Sequence, residues 1–196
     1  METKVLVIIM ILLIVGEPIV QFVLKKYYQN KIFICFKKHN YEELEKILNN
    51  RIVKFVFLPF NVEYCRLNEA LASNNKKMIN KQFDILLEMK LNEHQKEDVY
   101  LSGFNYYLSE ENNKKIQKFY KLSRSLKNED LKKSISISYN IFVEKGYNYL
   151  DEILQIYERC EEKEKYINEY LLSVMYQNKG DCEKAKHFEA LAKAHE

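Results

Sequence analysis

The chain has 196 residues, 47% of them hydrophobic and 13% aromatic, enough to bury the core of one domain plus a short extra segment. Only four Gly and two Pro are present; sheet-rich folds need many more turn residues, which leaves long helices joined by short hinges. The formal net charge of +3 divides into +4 over residues 1–60 (nine Lys/Arg, five Asp/Glu) and −1 over residues 61–196 (22 against 23), so the body has no basic stripe of the kind nucleic acid requires.

The basic excess lies beside an apolar segment. Val5–Val15 (VLVIIMILLIV) is unbroken; Gly16, Glu17 and Pro18 interrupt it, and Ile19–Leu24 resumes it. Twenty helical residues span about 30 Å, one hydrocarbon thickness. Lys25, Lys26, Lys31, Lys37 and Lys38 follow, whereas Lys4 is the only basic side chain before the run. The favoured reading makes residues 1–26 a membrane anchor that contacts the bilayer through residues 5–24. The positive-inside rule then sets residues 27–196 on the cytoplasmic side of the cell membrane, as a single-pass protein. The competing reading is a secretory signal with Val5–Val15 as its apolar core. Against it, Glu2 offsets Lys4, and cleavage after Gly16 would put Ile14 where a small residue is wanted. Glu17 is costly in a bilayer unless protonated or near the interface, and Pro18 predicts a kink.

The helix continues through Tyr27–Lys38 to a break at His39-Asn40. Tyr41–Leu48 is a second helix with Leu44, Ile47 and Leu48 on one face. Arg51–Leu58 (RIVKFVFL) is β-branched and aromatic, with no strand to pair with, and reads as a helix tail or buried connector. Pro59 suits the first turn of a helix that runs to Ser73. Asn74-Asn75 is a hinge, and Lys77–Lys90 follows with Met78, Ile79, Phe83, Leu86 and Leu87 inward. Val99–Leu108 and Ile116–Leu122 form a pair about Asn112-Asn113. Asn128–Phe142 and Leu150–Cys160 form another about Lys145-Gly146, and Glu164–Gln177 and Asp181–Ala194 form the last about Gly180. The hinge residues Asn40, Asn75, Asn112, Gly146 and Gly180 are separated by 35, 37, 34 and 34 residues. Gly and Asn suit a hinge because both adopt the left-handed backbone that ends a helix. Two helices per unit of about 34 residues define a helical repeat array.

The stretch Tyr170–Ala192 (YLLSVMYQNKGDCEKAKHFEALA) resembles a tetratricopeptide repeat. Leu172, Ser173 and Tyr176 occupy the first-helix positions of that family, Gly180-Asp181 its hinge, and Ala185, Phe188 and Ala192 its second helix. Glu169 departs from the pattern, standing where a large residue is usual. Earlier units match by spacing and apolar pattern, with Gly103 and Tyr106 in suitable places in the third. The resemblance implies an all-α, right-handed solenoid of four to five antiparallel helix pairs over residues 27–196; an irregular helical bundle is the alternative. It also implies a concave groove lined by first helices. Residues placed there are Tyr100, Phe104 and Tyr107, then Asn140 and Glu144, then Tyr170, Val174 and Gln177, with the inter-repeat core as the competing location for these aromatics. On the last helix, Lys184, Lys186, Lys193 and Glu196 supply a polar outer face.

Signals for catalysis are absent. His39, His94, His187 and His195 are scattered without a Cys or Asp at metal-ligand spacing and read as surface residues. Cys35, Cys65, Cys160 and Cys182 read as buried, reduced small hydrophobes, with a Cys160–Cys182 disulfide the minority reading. No phosphate-loop, nucleophile-elbow or metalloprotease motif occurs. The expectation is a non-enzymatic, cofactor-free scaffold that binds a protein or peptide, with no small-molecule substrate. A peptide-sensing regulatory solenoid and a structural subunit of a membrane complex are the alternatives.

Overall fold

Four Asx residues set the course of the backbone, each ending one helix and starting the next. The side-chain oxygens of Asn40, Asn75, Asn112 and Asp181 accept the N–H of Glu43, Met78, Lys115 and Lys184 at 3.1, 3.2, 3.2 and 3.2 Å. Each is therefore an N-cap, satisfying a donor that the first helical turn leaves unpaired. The residue before each is left-handed: His39, Asn74 and Glu111 at φ 52°, Gly180 at φ 85°. At the first joint the His39 N–H reaches the Phe36 carbonyl (3.1 Å) and the Asn40 N–H the Cys35 carbonyl (2.9 Å); the same two bonds recur at Asn74-Asn75, Glu111-Asn112 and Gly180-Asp181. This is a Schellman closure fused to an N-cap.

The hinge expectation is thereby corrected by one position. At three hinges the left-handed residue precedes the Asn, because the Asn is needed as the cap acceptor. The fourth hinge differs. Lys145 is left-handed (φ 54°) and Gly146 is not. Gly146 is there for space: a Cβ on it would lie 2.4 Å from Asn140 Nδ2. The left-handed residues are spaced by 35, 37, 34 and 35.

In this computed structural model the backbone is described over residues 2–195, and the side chains of residues 2–15 and of Glu164 are outside the description. Among the described residues there are eleven helices and no strand. They fall into two units, Met1–Leu91 and Asn92–Glu196. Glu196, expected on a polar helix face, is outside the described residues.

The first unit holds α1 (Glu2–Lys37), α2 (Tyr41–Asn49), α3 (Arg51–Val56), α4 (Pro59–Ala72) and α5 (Lys76–Glu88). α1 runs through Pro18 without a break. Leu44, Ile47 and Leu48 of α2 are buried with Tyr28 and Cys35 of α1, Val53 of α3, Phe57 and Val62. Within the stretch 51–58, Arg51–Val56 forms a short helix of its own: Asn50 caps it by accepting the Ile52 N–H at 2.8 Å, Phe57 and Leu58 are extended, and Pro59 opens α4 as expected. Arg66 ties α4 to α2, donating to Glu45 (3.2 Å) and Asn49 (2.9 Å) as well as to Glu63 (2.6 Å). Among the described residues no helix is long and apolar enough to cross a membrane. Val5–Val15, most of the expected span, lies outside the described side chains.

The second unit holds α6 (Glu93–Ser109), α7 (Asn113–Ser123), α8 (Glu129–Phe142), α9 (Leu150–Arg159), α10 (Glu162–Lys179) and α11 (Cys182–Ala194). Asn92 starts it with a capping box, exchanging bonds with Gln95. α6 packs on α7, and α10 on both α9 and α11. Gly103 permits the first contact, since a Cβ there would meet the Phe119 ring at 2.2 Å. Ile141, Leu150, Ile153, Leu172, Met175, Tyr176 and Phe188 form the other core, with Tyr176 stacked on Phe188 at 5.6 Å.

Candidate functional site

α10 is apolar on more than one side, and this makes it the candidate site. Its inner positions Leu172, Met175 and Tyr176 are buried. One helical turn of its outer side still carries Tyr166, Ile167 and Tyr170 in water, Tyr170 at 50% exposure. A helix of a globular body normally shows one apolar stripe, and the second one sets this face apart from the other helices.

Two hollows in the second unit meet at Tyr170. One, of about 640 Å³, lies between α10 and α11, with Val174, Ala185 and Ala192 as its apolar floor and Gln177, Lys186 and the Glu189–Lys193 pair around it. The other, of about 540 Å³, is bounded by Leu108 and Ser109 of α6, Ile116 of α7, and Phe142, Val143 and Lys145 at the end of α8. The Tyr170 ring stacks on Phe142 with centroids 6.1 Å apart, which holds the tyrosine upright between the two. Apolar floors with a few polar groups at the edge suit side chains and amides of a bound segment. Among the described residues no group of three or more His, Cys, Asp or Glu could hold a metal ion.

The expected groove residues separate into two sets. Tyr170, Val174 and Gln177 come together and line the first hollow. Tyr100, Phe104, Tyr107 and Asn140 are buried. Tyr107 stacks on Phe119 of α7 at 5.5 Å, and all three α6 aromatics belong to the core instead of a groove surface. Asn140 is a joint residue: its Nδ2 donates to Glu144 (3.0 Å) and its Oδ1 accepts the Asn148 N–H (3.3 Å). Glu144 is exposed and held in that contact. Asn178 completes the fourth hinge by donating to the Ile141 and Gly146 carbonyls at 2.9 and 3.1 Å.

Sequence reasoning missed one buried polar cluster. Glu169 is 0% exposed. The Tyr157 hydroxyl donates to it at 3.2 Å, and His195 Nδ1 lies 2.9 Å from its other oxygen. The other His195 nitrogen is 3.4 Å from Glu162. Burial, followed by the Glu169 carboxylate, raises the Tyr157 hydroxyl pKa. His195 is exposed, as expected, and its ring ties the end of α11 to α10, where Tyr157 of α9 meets the same carboxylate. The available signal was Glu169 itself, a carboxylate in a slot that the rest of the α10 pattern makes apolar.

Cys65 lies against an apolar hollow of about 290 Å³ in the first unit, and burial raises its thiol to about 11. Cys160 and Cys182 are both free; of the four thiols expected to be buried only Cys35 is, and Cys182 is exposed because it opens α11 on its outer side. Compared with known proteins, the chain matches no family model, no curated protein and no solved structure.

Proposed function

We propose that this chain is a membrane-tethered helical-repeat scaffold, tetratricopeptide-like in its hinges, that holds a protein or peptide segment on the outer face of α10. One observation carries the binding part: the exposed Tyr166–Ile167–Tyr170 turn, with Tyr170 lining two hollows at once. Tyrosine in such a position is the usual anchor of a protein interface, where one residue can contribute about 2 kcal/mol or more. The regular joints support a repeat reading, because a unit of two helices closed by the same turn is what stacks into an array. The apolar run at residues 5–24, with Lys residues after it, supports an anchor with the body in the cytoplasm. Tethering raises the local concentration of whatever is held.

The test is a pull-down of the full chain from mild detergent with identification by mass spectrometry, comparing wild type with Tyr170→Ala and Val174→Asp. Tyr107→Ala serves as the core control. The reading predicts partners lost from both surface variants while their helical circular dichroism is unchanged. An unaltered set of partners with Tyr170 and Val174 both replaced would overturn it.

A further inference from the structure

The way α2 packs on α1 turns the chain back along α1. α2 follows α1 after the tight joint at His39-Asn40 and lies against it; α3 then contacts α1 as well. Leu24, the last residue of the run, packs on the same cluster as Val53, Val56 and Phe57. α3 therefore packs back on α1 in a cluster that reaches Leu24, with Val53 and Phe57 beside Gln29, Ile32 and Phe33.

The inner side of α3 is used in that contact, with Val53 and Phe57 buried. Its outer residues Ile52 and Phe55, and Leu58 just after it, are 42, 70 and 65% exposed. Arg51 and Lys54, both exposed, alternate with them, and the exposed Lys25 and Lys26 follow Leu24 directly. Large apolar side chains interleaved with cations are what an element in a lipid interface needs: the first enter the acyl boundary and the second meet lipid phosphates. The described end of the run itself shows Ile19, Val20, Phe22 and Val23 in the open.

We propose that Ile52, Phe55 and Leu58 form a foot resting in the headgroup layer of the bilayer that α1 enters, with Arg51 and Lys54 on anionic lipid phosphates. The proposal rests on the anchor reading above and adds to it. A single helix leaves its body free to swivel over the membrane; a second contact a short distance from the helix axis fixes how the first unit faces the lipid.

The chain has no Trp, so Phe55→Trp gives a single fluorescent reporter at an exposed position, and Phe22→Trp reads the anchor in the same way. Each full-length variant is reconstituted into phosphatidylcholine–phosphatidylglycerol vesicles carrying bromine at a shallow or a deep acyl position. Interfacial elements bury about 5–10 Å into the boundary, so Phe55→Trp is expected to shift to the blue and be quenched more by shallow than by deep bromine. Adding Arg51→Glu and Lys54→Glu should weaken that quenching. Phe22→Trp should be quenched as well. Quenching of Phe22→Trp with a water-like, unquenched Phe55→Trp overturns the foot and leaves the anchor standing. A blue-shifted but unquenched Phe55→Trp also overturns it, because protein, such as a second copy of the chain, then covers the patch. No quenching at either position overturns the anchor reading and the foot with it.

Discussion

Replacing Gly103 with Ala is expected to destabilise the second unit, against the ordinary preference of helices for Ala. The new Cβ would sit 2.2, 2.4 and 2.5 Å from three Phe119 ring carbons. Non-bonded carbons need about 3.5–4.0 Å, so the ring must withdraw by more than about 1 Å. It has nowhere to go: Phe119 is fully buried and stacked on Tyr107. Overpacking of this kind costs about 1–3 kcal/mol, and an overlap this deep belongs at the upper end. Ala in place of Gly returns about 1 kcal/mol of helix propensity. The net loss is about 2 kcal/mol, read as a lower midpoint in urea unfolding followed by circular dichroism. Gly103→Ala/Phe119→Leu separates the causes, because the methyl group then fills part of the space the ring leaves. The double variant should lose less than the two single losses together. Gly103→Ala at or above wild-type stability, or strict additivity in the cycle, would refute the close-approach argument.

The remaining expectations concern single side chains. Glu169→Ala strips the Tyr157 hydroxyl and His195 of their buried acceptor and should cost about 2–4 kcal/mol in urea unfolding, with Glu169→Gln costing less. Alkylation by iodoacetamide at pH 8 should modify exposed Cys182 well before Cys65, whose thiol is raised to about 11 and is therefore scarce as the reactive thiolate; mass spectrometry of timed samples reads the order. The Glu93 carboxyl is held below its ordinary pKa, first by the Lys127 N–H that donates to it at 2.8 Å. A depressed carboxyl stabilises the fold above its unfolded pKa, and the contribution is lost as pH falls through the folded value. Glu93→Gln should therefore lower stability at pH 7 and flatten the decline on the acid side, measured by unfolding between pH 7 and 3.

Much of the helix plan was legible because its signals are local. Asn40, Asn75, Asn112 and Asp181 cap within three residues of themselves, and the apolar spacing in α2 and α5 depends only on helical pitch. The identity of the left-handed residue was less legible. Glu111 adopts φ 52° although nothing in its chemistry favours it; the two closing bonds and the cap that follows impose it, whereas at Lys145 the Gly146 N–H reaches the Asn140 carbonyl instead. The α6 aromatics show a second limit. A Tyr at helical spacing suits a groove and a core equally, and only the position of α7 sends Tyr107 onto Phe119.

By itself the sequence determined the helical class, the joint period and the apolar run, since these rest on composition, pitch and hydrogen bonds between near neighbours. The tertiary structure alone decided which surface α10 leaves open, that Glu169 and His195, 26 residues apart, meet, and that α3 packs back on α1. Each depends on which helix packs beside which, and packing partners far apart in the chain leave no periodic trace in it.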